Sequence, residues 1–428
     1  MAKIFNKIKK RLAVFSDFGF WFLFFVVLYL ILLFKISTTS FVGGVTFFKF
    51  YSILIFIYII SRFFLAYFHR SIKHDEGYQP SITFVVPAKN EEDNVAETIR
   101  RFLHADYPKE KIEIIAINDG STDSTYAEML KIKKEIGQEI PVTVVNWKVN
   151  RGKRAGMAEG VRRANHEIVI FIDSDSFIAP DCVKHLVKYF SNPRVGAVSG
   201  HTDVFNRDTN LLTQMQATRY FIAFSVYKAA ESVFGNVTCC PGCCSAYRRE
   251  YLLEFIDVWL NQRFLGSECT FGDDRSLTNF IIRKYEAVYS PEAKAHTVVP
   301  DTLGKYIKQQ QRWKKSWIRE TLIASAFMWR KNFFAALSYY SYVILALSAP
   351  IVFIRAVIWH PYLTGSIPLA YLAGLFLMLL LHGIYYRTQV GPRAWFLSVM
   401  TFWFYTVMLM WQLPWAMITI RDSRWGTR

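Results

Sequence analysis

Two carboxylates, Asp173 and Asp175, stand at positions i and i+2 directly after a short apolar run. The run, residues 167–172, is rich in β-branched side chains and predicts a buried strand. Such a strand delivers the pair to the carboxyl-terminal edge of a sheet, where open α/β folds bind ligands. Two neighbouring carboxylates suit Mg²⁺ or Mn²⁺, which are most useful where a diphosphate must be neutralised. Because a solvated turn gives the same pattern, the neighbouring segments must decide between the two interpretations.

Three more segments repeat this order of strand and polar turn. Strands predicted at 81–87, 112–117 and 142–145 precede the sequences AKNEE (88–92), NDGSTD (118–123) and NRGKR (150–154). Helices predicted up to about residues 104 and 163 separate the strands. This alternation predicts a mostly parallel, Rossmann-like sheet with all the polar turns on one edge. The turns and the Asp-x-Asp pair are therefore expected to lie together.

The chemistry of these turns favours a nucleotide diphosphate. Asp119 could accept hydrogen bonds from a nucleoside, although its turn is also a good helix cap. Lys153 and Arg154 offer positive charge to phosphates, although a solvated basic loop has the same composition. Each turn taken alone favours the plain structural interpretation, and their convergence favours the site.

The composition divides the 428 residues into two kinds of segment. The chain is 52% hydrophobic and carries a formal net charge of +17, but residues 70–330 have an ordinary globular composition. The charge fits a cytoplasmic membrane face, an anionic substrate or both. Nucleic acid is the competing partner, and no interleaved basic and aromatic RNA motif supports it. We therefore expect no nucleic-acid partner.

Apolar stretches flank the globular part. Those at 18–34 and 47–68 predict two transmembrane helices, because the first is long for a signal peptide and no cleavage site follows it. Basic residues before the first and after the second place both ends in the cytoplasm. Further apolar stretches at 335–354, 366–386 and 394–420 follow, and Pro414 and three tryptophans suggest that part of the last is re-entrant or interfacial. We therefore divide the chain into helices at 1–70, an α/β domain at 71–304, interfacial helices at 305–332 and a helical membrane region at 333–428.

Four of the six cysteines form the sequence CCPGCC at 239–244. The Cys240-x-x-Cys243 spacing is typical of zinc or redox sites, but a second cysteine pair for a structural zinc is not visible. A tight Pro-Gly turn with small, soft side chains is the preferred interpretation. The pattern suggests no secretory disulfide framework, which agrees with a reducing cytoplasmic location.

The motifs together resemble those of membrane-embedded family 2 glycosyltransferases with the GT-A fold, and most closely the bacterial class I hyaluronan synthases. The matching sequences are VVPAKNE (85–91), DGS (119–121), NRGKR (150–154), DSD (173–175), NRDTNLL (206–212), GDDRSLT (272–278), QQQRW (309–313) and WGTR (425–428). The departure is the CCPGCC segment, where these synthases have a Ser-Gly-Pro-like turn and the related chitin-oligosaccharide synthases are rich in cysteine. The resemblance therefore leaves the product sugar open.

The resemblance implies roles for individual residues. Asp119, Lys153 and Asp173 would hold the UDP moiety, and Asp175 would hold the metal. Gln309, Arg312 and Trp313 lie on one face of a basic, aromatic helix, since they are spaced at i, i+3 and i+4. The resemblance places the tryptophan beneath the acceptor sugar and the arginine at the diphosphate, whereas the alternative is an interfacial helix with tryptophan anchors. The full set of predicted substrate-binding residues is Asn90, Glu91, Asp119, Lys153, Arg154, Asp173, Gln309, Arg312, Trp313, Trp425 and Arg428.

A second acidic pair, Asp273 and Asp274, precedes Arg275. A carboxylate here could simply favour a helix N-terminus. An inverting displacement, however, needs a base on the acceptor hydroxyl, opposite the leaving diphosphate. We predict that Asp274 is this base, and we group Asp273 and Arg275 with it as catalytic residues.

The sequence thus predicts a processive, inverting β-glycosyltransferase of the membrane with Mg²⁺ or Mn²⁺ as cofactor. Its expected partners are UDP-GlcNAc, UDP-GlcA, the growing polysaccharide and membrane lipid, with hyaluronan as the leading product. A chitin-like synthase, a transferase onto a lipid carrier and a catalytically inactive assembly factor are the alternatives. Four basic residues could meet a uronic carboxylate, although solvation is the commoner fate of such side chains. They are Arg207, Arg248, Arg249 and Arg263.

Overall fold

The computed structural model describes residues 46–69, 73–391 and 395–423, together with positions 19, 22, 26, 29, 30 and 33. Most of the predicted first transmembrane helix, at 18–34, and the tail at 424–428 therefore lie outside the described residues. The described chain forms an α/β domain with apolar helices on either side of it in sequence.

The strands are β1 (Ile82–Ala88), β2 (Ile112–Asp119), β3 (Val142–Trp147), β4 (Ile168–Phe171), β5 (Ser176–Ile178), β6 (Val195–Val204), β7 (Ser245–Arg248), β8 (Arg263–Phe264), β9 (Ser267–Glu268) and β10 (Glu286–Thr297). The helices are α1 (Thr46–Phe68), α2 (Val95–Leu103), α3 (Thr125–Ile136), α4 (Lys153–Arg163), α5 (Cys182–Val187), α6 (Leu211–Ile222), α7 (Ala229–Ser232), α8 (Arg249–Leu260), α9 (Asp273–Ile282), α10 (Leu303–Met328), α11 (Phe333–Ile354), α12 (His360–Thr364), α13 (Leu369–Val390), α14 (Trp395–Met408) and α15 (Gln412–Ile418). The strands predicted at 81–87, 112–117, 142–145 and 167–172 correspond to β1 to β4.

One large sheet has the strand order β3-β2-β1-β4-β7-β6-β10-β5. The first four strands are parallel, and β6 is parallel to β10, while β7 and β5 run antiparallel to their neighbours. Val85 in β1 is in register with Ile115 on one side and with Phe171 on the other. The carboxyl ends of β1, β2 and β4 therefore reach the same edge of the sheet, as predicted, and the polar turns begin there.

Helices cover both faces of this sheet. Every residue of β1 and β2 is buried, as expected for parallel strands packed on two sides. One core cluster joins the sheet to α2, α3 and α5. The other joins it to α4, α8 and α9, and continues through Met328 of α10 to Tyr339 and Val343 of α11. The α/β domain thus shares a hydrophobic core with the apolar helices that follow it.

Among the described helices, the continuous helical stretch Phe333–Thr364 is long and apolar enough to cross a membrane. Ile53–Phe68 and Phe396–Thr406 are shorter apolar helices. The stretch predicted at 394–420 is divided into α14 and α15, and Pro414 lies in the first turn of α15, where its missing N–H costs no intrahelical hydrogen bond. The number of membrane crossings remains a prediction.

Candidate active site

A cavity of about 1600 Å³ extends from the polar edge of the sheet into the apolar helices. At its inner end it is lined by Tyr51 and Tyr58 of α1, Tyr342 of α11 and Tyr405 of α14. At the sheet edge it is lined by acidic and basic side chains. The predicted site residues in its wall are Lys153, Asp173, Asp175, Asp273, Asp274, Arg275, Gln309, Arg312 and Trp313.

Asp173 and Lys153 form an ion pair in the cavity wall. Burial lowers the pKa of Lys153, but the carboxylates of Asp173, Asp274 and Asp273 outweigh that effect and hold the pKa above its usual value. The pair is covered by Gly242, where an added Cβ would lie 2.7 Å from Oδ1 of Asp173 and 2.9 Å from the Lys153 ammonium. Only glycine fits here without moving the pair, so the Pro-Gly turn shapes the site. A charge fixed in this way is suited to a phosphate group.

Asp175 lines the cavity two residues beyond Asp173, and both carboxylates are half-buried. Within the part of the chain that the structure describes, no group of three His, Cys, Asp or Glu side chains could enclose a metal ion. Two carboxylates in the cavity wall fit Mg²⁺ or Mn²⁺ nevertheless, because these ions take one or two protein carboxylates and complete their shell with water and substrate phosphates. The residues present therefore fit a cation that binds together with a diphosphate.

Asp274 lies in the first turn of α9 and faces the cavity. Its Oδ1 accepts a hydrogen bond from the backbone N–H of Arg275 (2.8 Å), and its Oδ2 lies 3.6 Å from Sγ of Cys239. Burial, and then the Asp274 carboxylate, raise the pKa of the Cys239 thiol to about 12, so the thiol is protonated at neutral pH. The carboxylate is therefore held in place by two donors while it remains open to the cavity, which suits a general base.

Asp273 and Arg154 make a buried ion pair at 2.8 Å, with side chains only 3% and 6% exposed. The Arg154 guanidinium also donates to the backbone oxygen of Trp259 (2.9 Å) and to Gln262 (3.1 Å). Arg154 therefore does not line the cavity, and the charge of Asp273 is already neutralised, because the fold brings together two residues whose pairing the sequence did not indicate. Their predicted roles in substrate binding and catalysis stay predictions.

Asn90, Glu91 and Asp119 connect the loops at the sheet edge and do not line the cavity. Oδ1 of Asn90 accepts from the backbone N–H of Thr122 (2.9 Å), and the Glu91 N–H donates to the hydroxyl of Thr125 (2.8 Å). These bonds fix the loop after β1 against the loop after β2. Their predicted contacts with a substrate stay predictions.

Asp119 accepts hydrogen bonds from the backbone N–H groups of Arg151 (2.6 Å) and Gly152 (2.9 Å). Burial raises the pKa of Asp119, and the two hydrogen bonds offset this rise only in part. Gly152 has φ +90°, which a side chain would disfavour. Asp119 therefore holds the loop that delivers Lys153 to the cavity, and its contact with a nucleoside stays a prediction.

Gln309, Arg312 and Trp313 project from α10 into the cavity, on the common face that their spacing predicts. The Trp313 side chain is 36% exposed, and its ring centroid lies 6.4 Å from that of Tyr220. An exposed indole on a cavity wall can stack against a sugar ring.

Trp425 and Arg428 lie outside the described residues, but the last residues described before them lie close to the site. Asp422 pairs with Lys315 (3.4 Å), and the Thr270 hydroxyl donates to the backbone oxygen of Ser423. The last described residue is therefore held against the segment that leads into α9.

The CCPGCC segment forms part of the cavity wall through Cys239 and Cys243. Cys243 lies 3.2 Å from the Thr202 hydroxyl, and Cys244 lies 3.5 Å from Cys182. All six cysteines are free thiols. The Cys244 N–H donates to the backbone oxygen of Pro241 (3.2 Å), so the segment forms a turn.

The four basic residues considered for a uronic carboxylate do not line the cavity. Arg248 pairs with Glu167 (2.5 Å), and Arg249 donates to the backbone oxygen of Val161 (3.0 Å). Arg263 pairs with Glu268 at the surface, and Arg207 is exposed. The alternative named with this prediction, solvation or pairing elsewhere, therefore fits these four side chains better. The basic residues of the wall that sequence reasoning missed are Arg219, Lys228, Lys305, Lys308 and Lys314.

Comparison with known proteins agrees with this geometry. A family model described as glycosyl transferase family 2 matches residues 83–256. A hyaluronan synthase of Streptococcus pyogenes is 30% identical over 426 residues, which cover 98% of this chain and 97% of that protein. The chain belongs to glycosyl transferase family 2. N-acetylglucosaminyltransferases of Mesorhizobium japonicum (33% identical; 57% of this chain and 58% of that protein) and Neorhizobium galegae (34% identical; 63% and 62%) are also similar to this glycosyltransferase.

The fold of this glycosyltransferase is found in a solved structure. The mannosyltransferase PcManGT from Pyrobaculum calidifontis, in complex with GDP-Man and Mn²⁺, has a TM-score of 0.62 and 20% identity, covering 87% of this chain and 98% of that protein. The mostly parallel sheet and this likeness confirm the predicted GT-A fold, an α/β domain accompanied by a helical region.

Proposed function

We propose that this glycosyltransferase is a processive, inverting β-glycosyltransferase that polymerises UDP-sugars, with hyaluronan as the product and UDP-GlcNAc and UDP-GlcA as substrates. The observation that carries the proposal is the cavity, which places Asp173, Asp175, Asp274 and Trp313 in one space that continues between apolar helices. The similarity to a hyaluronan synthase over 98% of the chain supports the choice of product.

The proposed reaction is a single displacement. The acceptor hydroxyl oxygen forms a bond to the anomeric carbon of the UDP-sugar while the bond from that carbon to the diphosphate oxygen breaks. Asp274 takes the hydroxyl proton, and the departing electron pair stays on the UDP. Because attack and departure occur on opposite faces, an α-linked donor gives a β-linked product.

Lys153, Arg312, Asp173 and Asp175 would serve the leaving group. Lys153 and Arg312 would supply positive charge to the diphosphate, and Asp175, two residues beyond Asp173, would be the ligand for Mg²⁺ or Mn²⁺. When bound, the cation neutralises charge that develops on the diphosphate. The Mn²⁺ in the complex of the mannosyltransferase from Pyrobaculum calidifontis supports a divalent cation here.

Gln309 and Trp313 would hold the acceptor, with the sugar ring stacked on the indole. Trp425 and Arg428 would complete the nucleotide site, since the chain at Ser423 is fixed beside Thr270, close to the start of α9. Asn90, Glu91 and Asp119 would contact the nucleoside from the loops that they hold together.

The protein would be a multi-pass membrane protein with the catalytic domain and both termini in the cytoplasm. Support comes from the apolar stretch Phe333–Thr364 and from exposed apolar side chains such as Ile57, Phe64 and Ile351 on the helices flanking the domain. The inner end of the cavity, lined by tyrosines, would pass the polymer across the membrane.

A chitin-like polymer of GlcNAc is the second candidate. The two rhizobial N-acetylglucosaminyltransferases, at 33% and 34% identity, favour it. The CCPGCC turn in the cavity wall is the feature that would shape a pocket for an uncharged sugar. An inactive assembly factor is less favoured, because the carboxylates and Trp313 share an accessible cavity.

The test is synthesis by the purified protein in lipid vesicles with Mg²⁺ or Mn²⁺. Long polymer that hyaluronidase digests should form only when UDP-GlcNAc and UDP-GlcA are both present. The matched control is the Asp274→Asn protein in the same vesicles. Polymer made from UDP-GlcNAc alone, digested by chitinase and resistant to hyaluronidase, would replace hyaluronan by the second candidate.

A further inference from the structure

Arg219 of α6 and Lys314 of α10 lie side by side in the cavity wall. Their hydrogen-bond acceptors are neutral. Arg219 donates to Oε1 of Gln310 (2.6 Å) and to the hydroxyl of Tyr405 (2.9 Å). Lys314 donates to the backbone oxygen of Leu409 (2.8 Å) and to the Gln412 side chain. Both cations also face the Tyr405 ring, with the Arg219 guanidinium 3.9 Å and the Lys314 ammonium 5.0 Å from its centroid.

Neither cation has an acidic partner within ion-pair distance among the residues that the structure describes. The adjacent Lys315, by contrast, pairs with Asp422 at 3.4 Å. Burial, and then the charge of Arg219, lower the pKa of Lys314 to about 7. Two neighbouring positive charges without an acidic partner at ion-pair distance are unfavourable, and an anion bound between them in the cavity would relieve this repulsion.

The position of the pair relative to Trp313 indicates which anion. The Arg219 guanidinium lies 5.9 Å from the centroid of the Trp313 ring. A sugar ring stacked on that indole would therefore present its substituents to Arg219. The guanidinium has five N–H donors, of which the neutral side chains of Gln310, Tyr405 and Tyr306 take three, so others remain for a carboxylate. The diphosphate is expected elsewhere in the cavity, at Lys153 and Asp173.

We propose that Arg219 and Lys314 form a subsite that binds the carboxylate of a uronic acid unit in the growing chain, at or next to Trp313. The inference rests on the proposed function and deepens it, because it names the residues that distinguish a uronic acid from a neutral sugar. The Arg219 guanidinium binds the two carboxylate oxygens, and the Lys314 ammonium adds a second positive charge.

The experiment compares two ligands that differ only in charge. A short hyaluronan oligosaccharide and its carboxyl-reduced counterpart, in which each uronate has become a glucose unit, are titrated against the full-length protein in phosphatidylcholine vesicles. The wild type should bind the carboxylated ligand about tenfold or more tightly than the neutral one, as expected for charge-assisted hydrogen bonds. In Arg219→Gln the ratio of the two affinities should fall to within about threefold of unity. In Lys314→Gln the ratio should lie between that of Arg219→Gln and that of the wild type.

Lys308→Gln is the matched control, because it removes a charge from the same helix and the same cavity without touching the pair. It should keep the wild-type ratio. UDP binding checks that each variant is folded, and if Arg219→Gln does not fold, Lys314→Gln and the wild-type ratio still decide the question.

Three results would overturn the inference. The first is a wild-type ratio near unity, and the second is an undiminished ratio in the Arg219 and Lys314 variants. The third is that added phosphatidylglycerol competes with the carboxylated ligand in the wild type and that this competition disappears in the Arg219 and Lys314 variants. Such a result would assign the pair to a lipid phosphate. Each result leaves hyaluronan synthesis from the two UDP-sugars intact, whereas polymer from UDP-GlcNAc alone would refute the proposed function itself.

Discussion

Replacing Asp274 by asparagine separates catalysis from folding. In the wild type the Arg275 N–H donates a 2.8 Å hydrogen bond to Asp274, and the asparagine keeps an oxygen that can accept it. The asparagine lacks the carboxylate that would take the proton of the acceptor hydroxyl. Loss of a general base costs about 10²- to 10⁴-fold in rate, or roughly 2.7 to 5.4 kcal/mol of transition-state stabilisation. Loss of a carboxylate from the first turn of a helix costs only about 0.3 to 1 kcal/mol of stability. The polymerisation rate should therefore fall by about 10²- to 10⁴-fold while the melting temperature changes little.

The assay measures UDP release with both UDP-sugars, UDP affinity and thermal unfolding on the same vesicle preparations. Asp273→Asn is the matched control on the neighbouring residue. It breaks the buried 2.8 Å pair with Arg154 and leaves the guanidinium without its counter-charge, which costs about 3 to 5 kcal/mol. Asp273→Asn should therefore lower the melting temperature clearly. A polymerisation rate in Asp274→Asn within about tenfold of the wild type would refute the assignment of the base.

Four further outcomes are expected. Asp175→Asn should weaken UDP binding in Mg²⁺ or Mn²⁺ to the level seen with EDTA, and UDP binding by the wild type that ignores EDTA would contradict the metal site. Trp313→Ala should slow elongation more than hydrolysis of the UDP-sugar, whereas equal losses together with poor membrane insertion would favour an anchor. Deleting residues 425–428 should lower activity at unchanged expression, and full activity would show that the tail is dispensable. Burial and Arg219 lower the pKa of Lys314 to about 7, so the lysine loses its proton as pH rises through that value. Binding of the carboxylated oligosaccharide should then weaken between about pH 6 and 8, while Lys314→Arg, which stays charged, and the neutral oligosaccharide should show no such change.

Much of the α/β domain can be predicted from the sequence, because its signals are local. The run at 167–172 is apolar and β-branched, and it forms β4 at Ile168–Phe171. Parallel strands with helical connections must place their carboxyl ends on one edge, so the convergence of the turn residues followed from the order of the elements. The helical spacing of Gln309, Arg312 and Trp313 likewise fixed their common face before any packing was known.

The local sequence pattern determines the helix bounds of the membrane region less completely. The apolar stretches at 335–354 and 366–386 correspond to α11 and α13, but the stretch at 394–420 is divided into α14 and α15. An apolar composition predicts a helix but does not predict where that helix ends or bends. An apolar surface can face either lipid or another helix, so the composition is the same in both cases. Packing against α10 decides the break, because Lys314 binds the backbone oxygen of Leu409 and the side chain of Gln412 there.

Tertiary structure alone decided which charges are available to a substrate. Arg154 and Lys153 are neighbours in the sequence and look equivalent, yet Arg154 is buried against Asp273 while Lys153 faces the cavity. Arg219 lies far from Lys314 in the sequence, and only the packing of α6 against α10 and α14 makes them a pair. The sequence determined the residue types, the strands and the edge at which they meet, because these depend on near neighbours. The pairing of charges depends on contacts between distant segments, and those exist only once the helices have packed around the sheet.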